Sequence, residues 1–276
     1  MRADTFTPVL YRGDLLFSSI RSLIANAFYW IGDVATFGCR GLLRAFYPPF
    51  EILEIGRQVF EVGYRSVPLI AAAGFAVGAV MSMHTRASLE RFGAESLIPM
   101  GLGMAMIKET GPLVTALLFS GRVGAGIGAE LGAMRVTEQI DALESLAVDS
   151  FKHLVVTRIL ACMIALPLLT TMMNFTGIIG GFVAETVISD MSFNLYFDRA
   201  LSAIDFDDYI PATGKTVLFG FIIGTVSSYL GYFTRGGTAG VGQASTKSVV
   251  FSSILVILTN VIVVKAIFFF FPGAAQ

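Results

Sequence analysis

The chain has 276 residues, of which 55% are hydrophobic and only 14% are charged, and its formal net charge is −1. Soluble domains carry about 25% charged residues, so this composition excludes an ordinary soluble protein and indicates an integral membrane protein. A charge this close to zero, without any run of basic residues, gives no support for binding to nucleic acid.

Residues 1–65 are predicted to form a cytoplasmic or interfacial amphipathic region. Apolar residues recur at three- and four-residue spacing between residues 16 and 31, but charged residues such as Arg21 interrupt them. This pattern is typical of a helix lying in the membrane interface, with a shallow soluble domain as the alternative. Pro48-Pro49 ends the pattern, and a second amphipathic piece runs from Glu51 to Arg65. No cleavable signal is expected, because acidic residues interrupt the segment that should be positive.

Residues 66–276 are predicted to form one all-α membrane domain of five transmembrane helices. Each predicted helix is about long enough to cross a hydrocarbon core of roughly 30 Å at about 1.5 Å per residue. In chain order the five predicted spans are Ser66–Thr85, Ser96–Gly121, Ile159–Ala184, Thr216–Thr234 and Ser248–Phe271. An odd number of spans places the two termini on opposite sides of the membrane.

The distribution of Lys and Arg predicts the orientation of the chain. Positive residues are frequent before the first span, between the second and third spans, and in the connection from the fourth to the fifth. Acidic residues instead crowd the connection between the third and fourth spans. The N-terminus is therefore predicted to be cytoplasmic and the C-terminus to lie outside.

The segment Ser120–Asp149 joins a small-residue helix to a charged stretch. Small residues recur every four positions at Ser120, Gly124, Gly128 and Gly132. Such rows let helix backbones approach closely in lipid, and the same spacing recurs in other spans. Packing within one chain and packing across a dimer interface both explain them. The charges that follow, from Arg135 to Asp149, predict a contact with a soluble partner.

Two charged residues, Lys108 and Glu109, lie inside the second predicted span. A charge at the bilayer centre costs roughly 2.5–3.5 kcal/mol, so it normally faces protein or a water-filled cavity. Neighbouring residues on a helix point about 100° apart, so each needs a partner of its own or water. Both are candidates for lining a substrate cavity. Lys215 and Lys265 raise the same question, with snorkelling to the headgroups as the alternative.

Gly214-Lys215-Thr216 looks like the end of a phosphate-binding loop but does not fit one. Tyr209 stands where that motif requires its first glycine, and an acidic loop precedes it instead of a buried strand. If ATP drives this protein, another subunit must bind the nucleotide. The cluster Gly236, Gly237, Gly240 and Gly242 is predicted to be a flexible cytoplasmic turn.

The sequence predicts no metal site. Cys39 and Cys162 are far apart, and His84 and His153 have no second ligand at a suitable spacing.

Five segments together resemble the MlaE (YrbE) permeases, which are the membrane subunits of lipid-transporting ABC systems. They are Lys108–Pro112 (KETGP), Gly121–Gly124 (GRVG), Ala129–Leu143 (AELGAMRVTEQIDAL), Ala165–Leu169 (ALPLL) and Thr246–Val250 (TKSVV). The resemblance runs from about Ser66 to the C-terminus, and the long central segment is its most specific part.

The resemblance implies a homodimeric permease of the bacterial inner membrane, with an interfacial helix and five spans. It implies a cytoplasmic ABC ATPase that binds ATP and Mg, so that this chain has no cofactor and no enzymatic activity of its own. An MCE-domain periplasmic lipid-binding protein is the second implied partner, and a STAS-type regulatory subunit is a further one.

The resemblance also implies a cytoplasmic coupling helix between the second and third spans, here at about Val136–Val148. Its contacts with the ATPase would be Glu138, Asp141, Leu143, Glu144 and Leu146.

The family's lipid cavity opens outward between two protomers. Carried over by position, Met81, Ser88 and Phe92 would line it, and Lys108, Glu109 and Lys215 would supply polar contacts. A family member that aligns readily with this sequence has arginine where Lys108 stands. Lysine keeps the positive charge but loses bidentate recognition of phosphate, which leaves the headgroup preference open.

The leading interpretation is an ABC permease that moves phospholipid or a similar amphiphile between the inner membrane and an MCE partner. A proton-coupled secondary transporter that uses Glu109 is the alternative, although five spans do not divide into two inverted halves. A membrane enzyme acting on lipid is the third, supported only by the charges within the spans.

Overall fold

A computed structural model describes residues 11–48, 50–189, 191–202 and 206–270. The regular structure of these residues is entirely helical, and five helical stretches are long and apolar enough to cross a membrane. The prediction of an all-α, multi-pass membrane protein is therefore confirmed. The two chain ends, to which the sequence assigns opposite sides of the membrane, lie outside the described residues.

Eleven α-helices are present in these ranges. They are α1 (Tyr11–Ala45), α2 (Ile52–Tyr64), α3 (Val67–Leu89), α4 (Ile98–Ala105), α5 (Gly111–Phe119), α6 (Ala125–Val136), α7 (Gln139–Ser145), α8 (Thr157–Ser189), α9 (Phe193–Ser202), α10 (Phe206–Tyr232) and α11 (Gly237–Phe270). Short π-helical turns connect α4 to α5 and α5 to α6, and a third precedes α8.

The five candidate spans are longer than hydropathy predicted. They are Ile52–Phe92, Glu95–Val136, Phe151–Ser189, Asp208–Tyr232 and Gly237–Ile267. The first contains both α2 and α3, because only a tight turn separates them. The amphipathic piece and the first predicted span are thus one nearly continuous helix. Hydropathy marks the uncharged centre of a helix and misses ends that carry charges and continue beyond the lipid.

The third span, built on α8, lies at the centre of the bundle. It packs against α3 on one side and α10 on another, and α2 and α5 also contact it. At the crossing of α3 and α8, a Cβ added to Gly78 would overlap the carbonyl oxygen of Gly177. Gly220 of α10 meets the backbone of α8 at Cys162 in the same way. These glycine rows therefore serve packing inside one chain.

The first helix packs through aromatic side chains against α10 and the start of the third span. Trp30 contacts Tyr229 and Phe251, and Phe37 contacts Phe151 edge to face. The predicted N-terminal helix is present, and its position in the membrane interface stays a prediction.

The turn between α10 and α11 differs in part from the prediction. Gly236 and Gly237 have φ values of +91° and +65°, which side chains rarely tolerate, and they reverse the chain. Gly240 and Gly242, predicted to belong to a flexible turn, instead lie in the first turns of α11. A Cβ at Gly240 would overlap the carbonyl oxygen of Arg235, so this glycine allows the helix to begin directly against the turn.

Two ends of the bundle can be distinguished. At one end α7 meets the end of α10, because Tyr232 OH donates to Glu144 Oε1 at 3.2 Å. The end of α1 also reaches it, since Arg44 Nη1 lies 3.2 Å from Asp149. At the other end α9 packs against α4. We call these the α7 end and the α9 end.

Candidate functional site: a charged cavity between three spans

A cavity of about 230 Å³ opens between the second span, α10 and α11. Its lining is formed by Lys108, Glu109, Asp208, Pro211, Ala212, Lys215, Val264 and Ile267. Two basic and two acidic side chains thus share a wall that is otherwise apolar. We call it the Glu109–Lys215 cavity.

Glu109 connects all three of the surrounding spans. Its Oε2 lies 2.7 Å from Lys215 Nζ on α10, and its Oε1 accepts a hydrogen bond from Asn260 Nδ2 on α11. The Lys215 side chain is only 1% exposed, whereas that of Glu109 is 43% exposed. A buried ammonium group needs such a counter-charge, because leaving water without one is costly. Snorkelling, the alternative interpretation for Lys215, is therefore wrong.

The backbone of the second span adds a further acceptor for Lys215. The KETGP segment begins in the π-helical turn Met106–Thr110, which re-aims the side chains of Lys108 and Glu109. Pro112 has no N–H to give to the Lys108 carbonyl four residues earlier. Lys215 Nζ donates to this carbonyl oxygen at 2.8 Å. The proline thus creates an acceptor that a lysine from another helix uses.

Lys108 has a different counter-charge from Glu109. Its Nζ lies 3.1 Å from Asp208 Oδ1, near the start of α10. The separate partners agree with the divergence that the helical spacing predicts for adjacent residues. Among the described lining residues two ammonium groups balance two carboxylates, so a zwitterionic group can enter the cavity without adding net charge.

Three residues carried over from the family lie elsewhere in this chain. Met81 packs with Leu102 and Met106 in a second apolar cluster between α3, α4 and α9. Ser88 and Phe92 are exposed at the α9 end of the first span. The structure brings Lys108, Glu109 and Lys215 together, and the lipid-lining role of the other three stays a prediction.

Sequence reasoning missed two residues that contact the charged side chains of this cavity. Asp208 was counted among the acidic residues of a loop, although it lies in the fourth span. Asn260 is the one amide in the apolar centre of α11, and this isolated polar residue was the signal that could have found it. Its Nδ2 reaches Glu109, while its buried Oδ1 lacks a partner.

A second buried ion pair joins α3 to α8 near the α9 end. Arg86 Nη2 pairs with Glu185, which is fully buried, and Ser82 Oγ donates to Glu185 Oε1 at 2.7 Å. Arg86 also lies 3.4 Å from Glu95. The sequence suggested a loop position for Arg86, but α3 extends past it. This cluster fixes the relative position of two helices.

The helix between the second and third spans is shorter than predicted. It covers Gln139–Ser145 rather than Val136–Val148. Glu138 has φ +60°, which interrupts the chain after α6, and Ala147 has φ +59° just beyond the end of α7. A left-handed residue at either side cannot continue a right-handed helix, so only the central part of the predicted segment is helical.

The predicted coupling residues differ in exposure. Ile140 anchors α7 in the core, and Leu143 packs half-buried against that core. Asp141 pairs with Arg135 at 2.5 Å, and Glu144 accepts a hydrogen bond from Ser150 Oγ at 2.7 Å. Glu138 is exposed, and Leu146 is 75% exposed. Of the five predicted coupling residues, all except Leu143 are therefore exposed and available to a partner. Their coupling role itself stays a prediction.

No group of three His, Cys, Asp or Glu side chains within the described ranges is placed to hold a metal ion. His153 instead pairs with Glu51, and both cysteines are free thiols.

Comparison with known proteins gives a consistent picture. The profile of the family "Permease MlaE" matches residues 55–266. A probable ABC transporter permease protein of Rickettsia bellii is 35% identical over 238 residues, which cover 86% of this chain and 92% of that protein. Protein TRIGALACTOSYLDIACYLGLYCEROL 1, chloroplastic, of Arabidopsis thaliana is 31% identical over 220 residues, or 80% and 62%. The intermembrane phospholipid transport system permease protein MlaE of Haemophilus influenzae is 28% identical over 213 residues, or 77% and 82%.

Proposed function

Because the chain belongs to the MlaE permease family, we propose that it moves phospholipid or a related lipid between the inner membrane and an MCE-domain partner. The observation that carries the proposal is the Glu109–Lys215 cavity, which combines charged groups with apolar walls inside membrane spans. A lipid has the same division into a polar head and apolar chains. The relative from Haemophilus influenzae is named for phospholipid transport, which supports the same substrate class.

The cavity suggests how a lipid would be held. The side chain of Lys108 is 29% exposed and its ammonium group pairs with Asp208, so a headgroup phosphate can compete with that carboxylate for it. Lys215 is held in place by Glu109 and by the Lys108 carbonyl. Pro211, Val264 and Ile267 offer apolar contacts for the start of an acyl chain.

A separate cytoplasmic ATPase would supply the energy and bind ATP and Mg. Lys215, the lysine of the apparent phosphate-loop sequence, is engaged with Glu109 inside α10 and cannot cradle a nucleotide there. We assign the ATPase to the α7 end, which makes that end cytoplasmic and the α9 end periplasmic. A homodimer, an MCE partner at the α9 end and a STAS-type regulatory subunit on the ATPase complete the proposed assembly.

The contacts of α7 offer a route from the ATPase to the cavity. Glu144 is bonded to Tyr232 at the end of α10, and the same helix carries Lys215. A displacement of α7 would therefore be passed along α10, which is rigid and continuous over about 25 Å between these two positions. Movement of Lys215 against Glu109 would then change the shape of the cavity.

Lipid mass spectrometry of the purified chain tests the cavity assignment. Phospholipid should co-purify with the wild type, and the double variant Glu109→Leu/Lys215→Leu should retain roughly tenfold less. Lys265→Leu is the matched control, since this lysine is exposed on α11 and lies outside the cavity. Wild-type lipid content in the double variant would refute the assignment.

A further inference from the structure

A second polar cavity, of about 180 Å³, lies between α2 and α6. It is lined by four charged residues of these helices and of the turns next to them (Glu61, Arg65, Arg122 and Glu130) and by apolar residues between them, including Val62 and Ile127. None of these residues belongs to the Glu109–Lys215 cavity. We call it the Arg122 cavity.

The carboxylates at this cavity are paired with arginines other than Arg122. Glu61 pairs with Arg65 at 2.8 Å, and Glu130 pairs with the buried Arg158 at 2.7 Å. Arg122 instead donates from Nη1 to Ser66 Oγ at 2.6 Å, a neutral partner. Within the described part of the chain, no carboxylate forms an ion pair with Arg122. With Arg158, which lies outside the lining, three arginines thus meet two carboxylates, and the charge of Arg122 is left for a ligand.

The charge pattern of the first span indicates that the cavity lies at the depth of lipid headgroups. The stretch Ser66–Thr85 carries no formal charge and is about as long as the hydrocarbon core is thick. Ser66 therefore marks its edge, and Arg122 is bonded to this residue. Along the second span, Arg122 is about 20 Å from Lys108 toward the α7 end. The two cavities are therefore at opposite leaflets.

Apolar side chains form part of this cavity and of the first span that continues from it. Val62, Val123 and Ile127 form part of its wall. Leu69, one helical turn beyond Arg65, is 42% exposed. A free phosphate ion makes no favourable contact with apolar side chains, whereas covering them with an acyl chain lowers the free energy.

We propose that the Arg122 cavity binds the phosphate of an anionic lipid in the leaflet at the α7 end. Arginine suits this ligand because its planar group can offer two parallel N–H donors to one phosphate. The choice of a lipid as ligand rests on the proposed transport function. The cavity would hold a lipid on the side of the membrane opposite to the Glu109–Lys215 cavity, so that one chain has a lipid position in each leaflet.

Photo-crosslinking can locate the lipid without any transport assay. The full chain, in neutral detergent, receives a phosphatidylglycerol analogue with a diazirine in its headgroup, and labelled peptides are mapped by mass spectrometry. Two variants attack the site: Arg122→Gln removes the charge, and Gly126→Leu fills the cavity, because a Cβ at Gly126 meets nothing within 4 Å. Arg91→Gln and Gly121→Leu are the controls, since both positions are exposed and outside the lining.

The proposal predicts labels in residues 58–66 and 122–130, reduced roughly tenfold in Arg122→Gln and Gly126→Leu and unchanged in both controls. Excess inorganic phosphate should not compete. Labels absent from these segments, or undiminished in both variants, would overturn the proposal. Full competition by inorganic phosphate would show a free-phosphate site and overturn the lipid assignment.

Two further comparisons keep the result interpretable. If Arg122→Gln fails to fold, Gly126→Leu alone decides, because it adds volume where space is open. The labelling uses neither ATP nor the ATPase. A chain that is labelled here but moves no lipid would refute the proposed function and leave this site standing.

Discussion

Lys215 Nζ lies 2.7 Å from Glu109 Oε2, and the two residues come from different spans. The lysine is buried and the carboxylate is partly open to the cavity. Because of this unequal burial, the pair holds two spans together and also offers a candidate contact for lipid. It also predicts that removing Glu109 and removing Lys215 destabilise the chain by different amounts.

Glu109→Leu should destabilise the chain by about 3–5 kcal/mol, because it leaves the buried Lys215 without a counter-charge. Lys215→Leu should cost only about 1 kcal/mol, since the remaining carboxylate can reach solvent. The double variant should recover most of the stability lost by Glu109→Leu. Thermal unfolding in detergent measures all three, and equal losses in the two single variants would contradict this account of the pair.

The charges near α7 should decide binding of the ATPase. Glu138→Arg combined with Asp141→Arg reverses two exposed charges and should reduce co-purification of the ATPase roughly tenfold or more. Asp198→Arg makes a comparable change on an exposed position of α9 and should have no effect. Retention of the ATPase by the double variant would remove the coupling role from these residues.

The close approach of α3 and α8 predicts a steric effect at Gly78. Gly78→Ala should cost about 2 kcal/mol or more, because the added Cβ overlaps the backbone of Gly177 and neither helix can yield locally. Gly121→Ala is the control, since its Cβ would meet nothing within 4 Å, and it should be neutral or slightly stabilising. Comparison of the two melting temperatures checks the packing, and similar values would argue against this helix crossing.

The Arg86–Glu185 pair should contribute only to the stability of the fold, by holding α3 against α8. Glu185→Leu should destabilise by about 3–5 kcal/mol, because Arg86 is buried and would lose its main partner. Replacing both residues by leucine should restore most of the loss, while Arg91→Leu serves as the exposed control. Thermal unfolding reports these changes. A double variant as unstable as Glu185→Leu would show that the pair contributes through more than its charges.

Much of the fold could be predicted from hydropathy and charge alone. The apolar stretches located all five spans, and the proline pair ended the first helix in the right place. The ends of the helices were harder to predict, because residues such as Arg86 and Arg135 continue a helix without being apolar. The helix breaks at Glu138 because its backbone is left-handed, and no glycine or proline at this position indicates such a break in the sequence.

The site could be predicted in part. Lys108 and Glu109 stand out because a charge in a span is costly, and this argument requires partners without naming them. Lys215 and Asn260 lie far from Glu109 in sequence, so their contact depends on how three spans pack together. The ion pairs around the Arg122 cavity could not be predicted from the sequence either, since they depend on which arginine reaches which carboxylate in the folded chain.

The most direct test of the account is lipid transfer by the reconstituted chain. Vesicles would contain the chain with its ATPase and MCE partner, and movement of labelled phospholipid would be followed with and without ATP. We predict transfer that requires ATP, that is lost in Glu138→Arg/Asp141→Arg, and that persists when an ionophore dissipates the proton gradient. Transfer that proceeds without the ATPase and stops with the ionophore would contradict the account and favour a proton-coupled transporter.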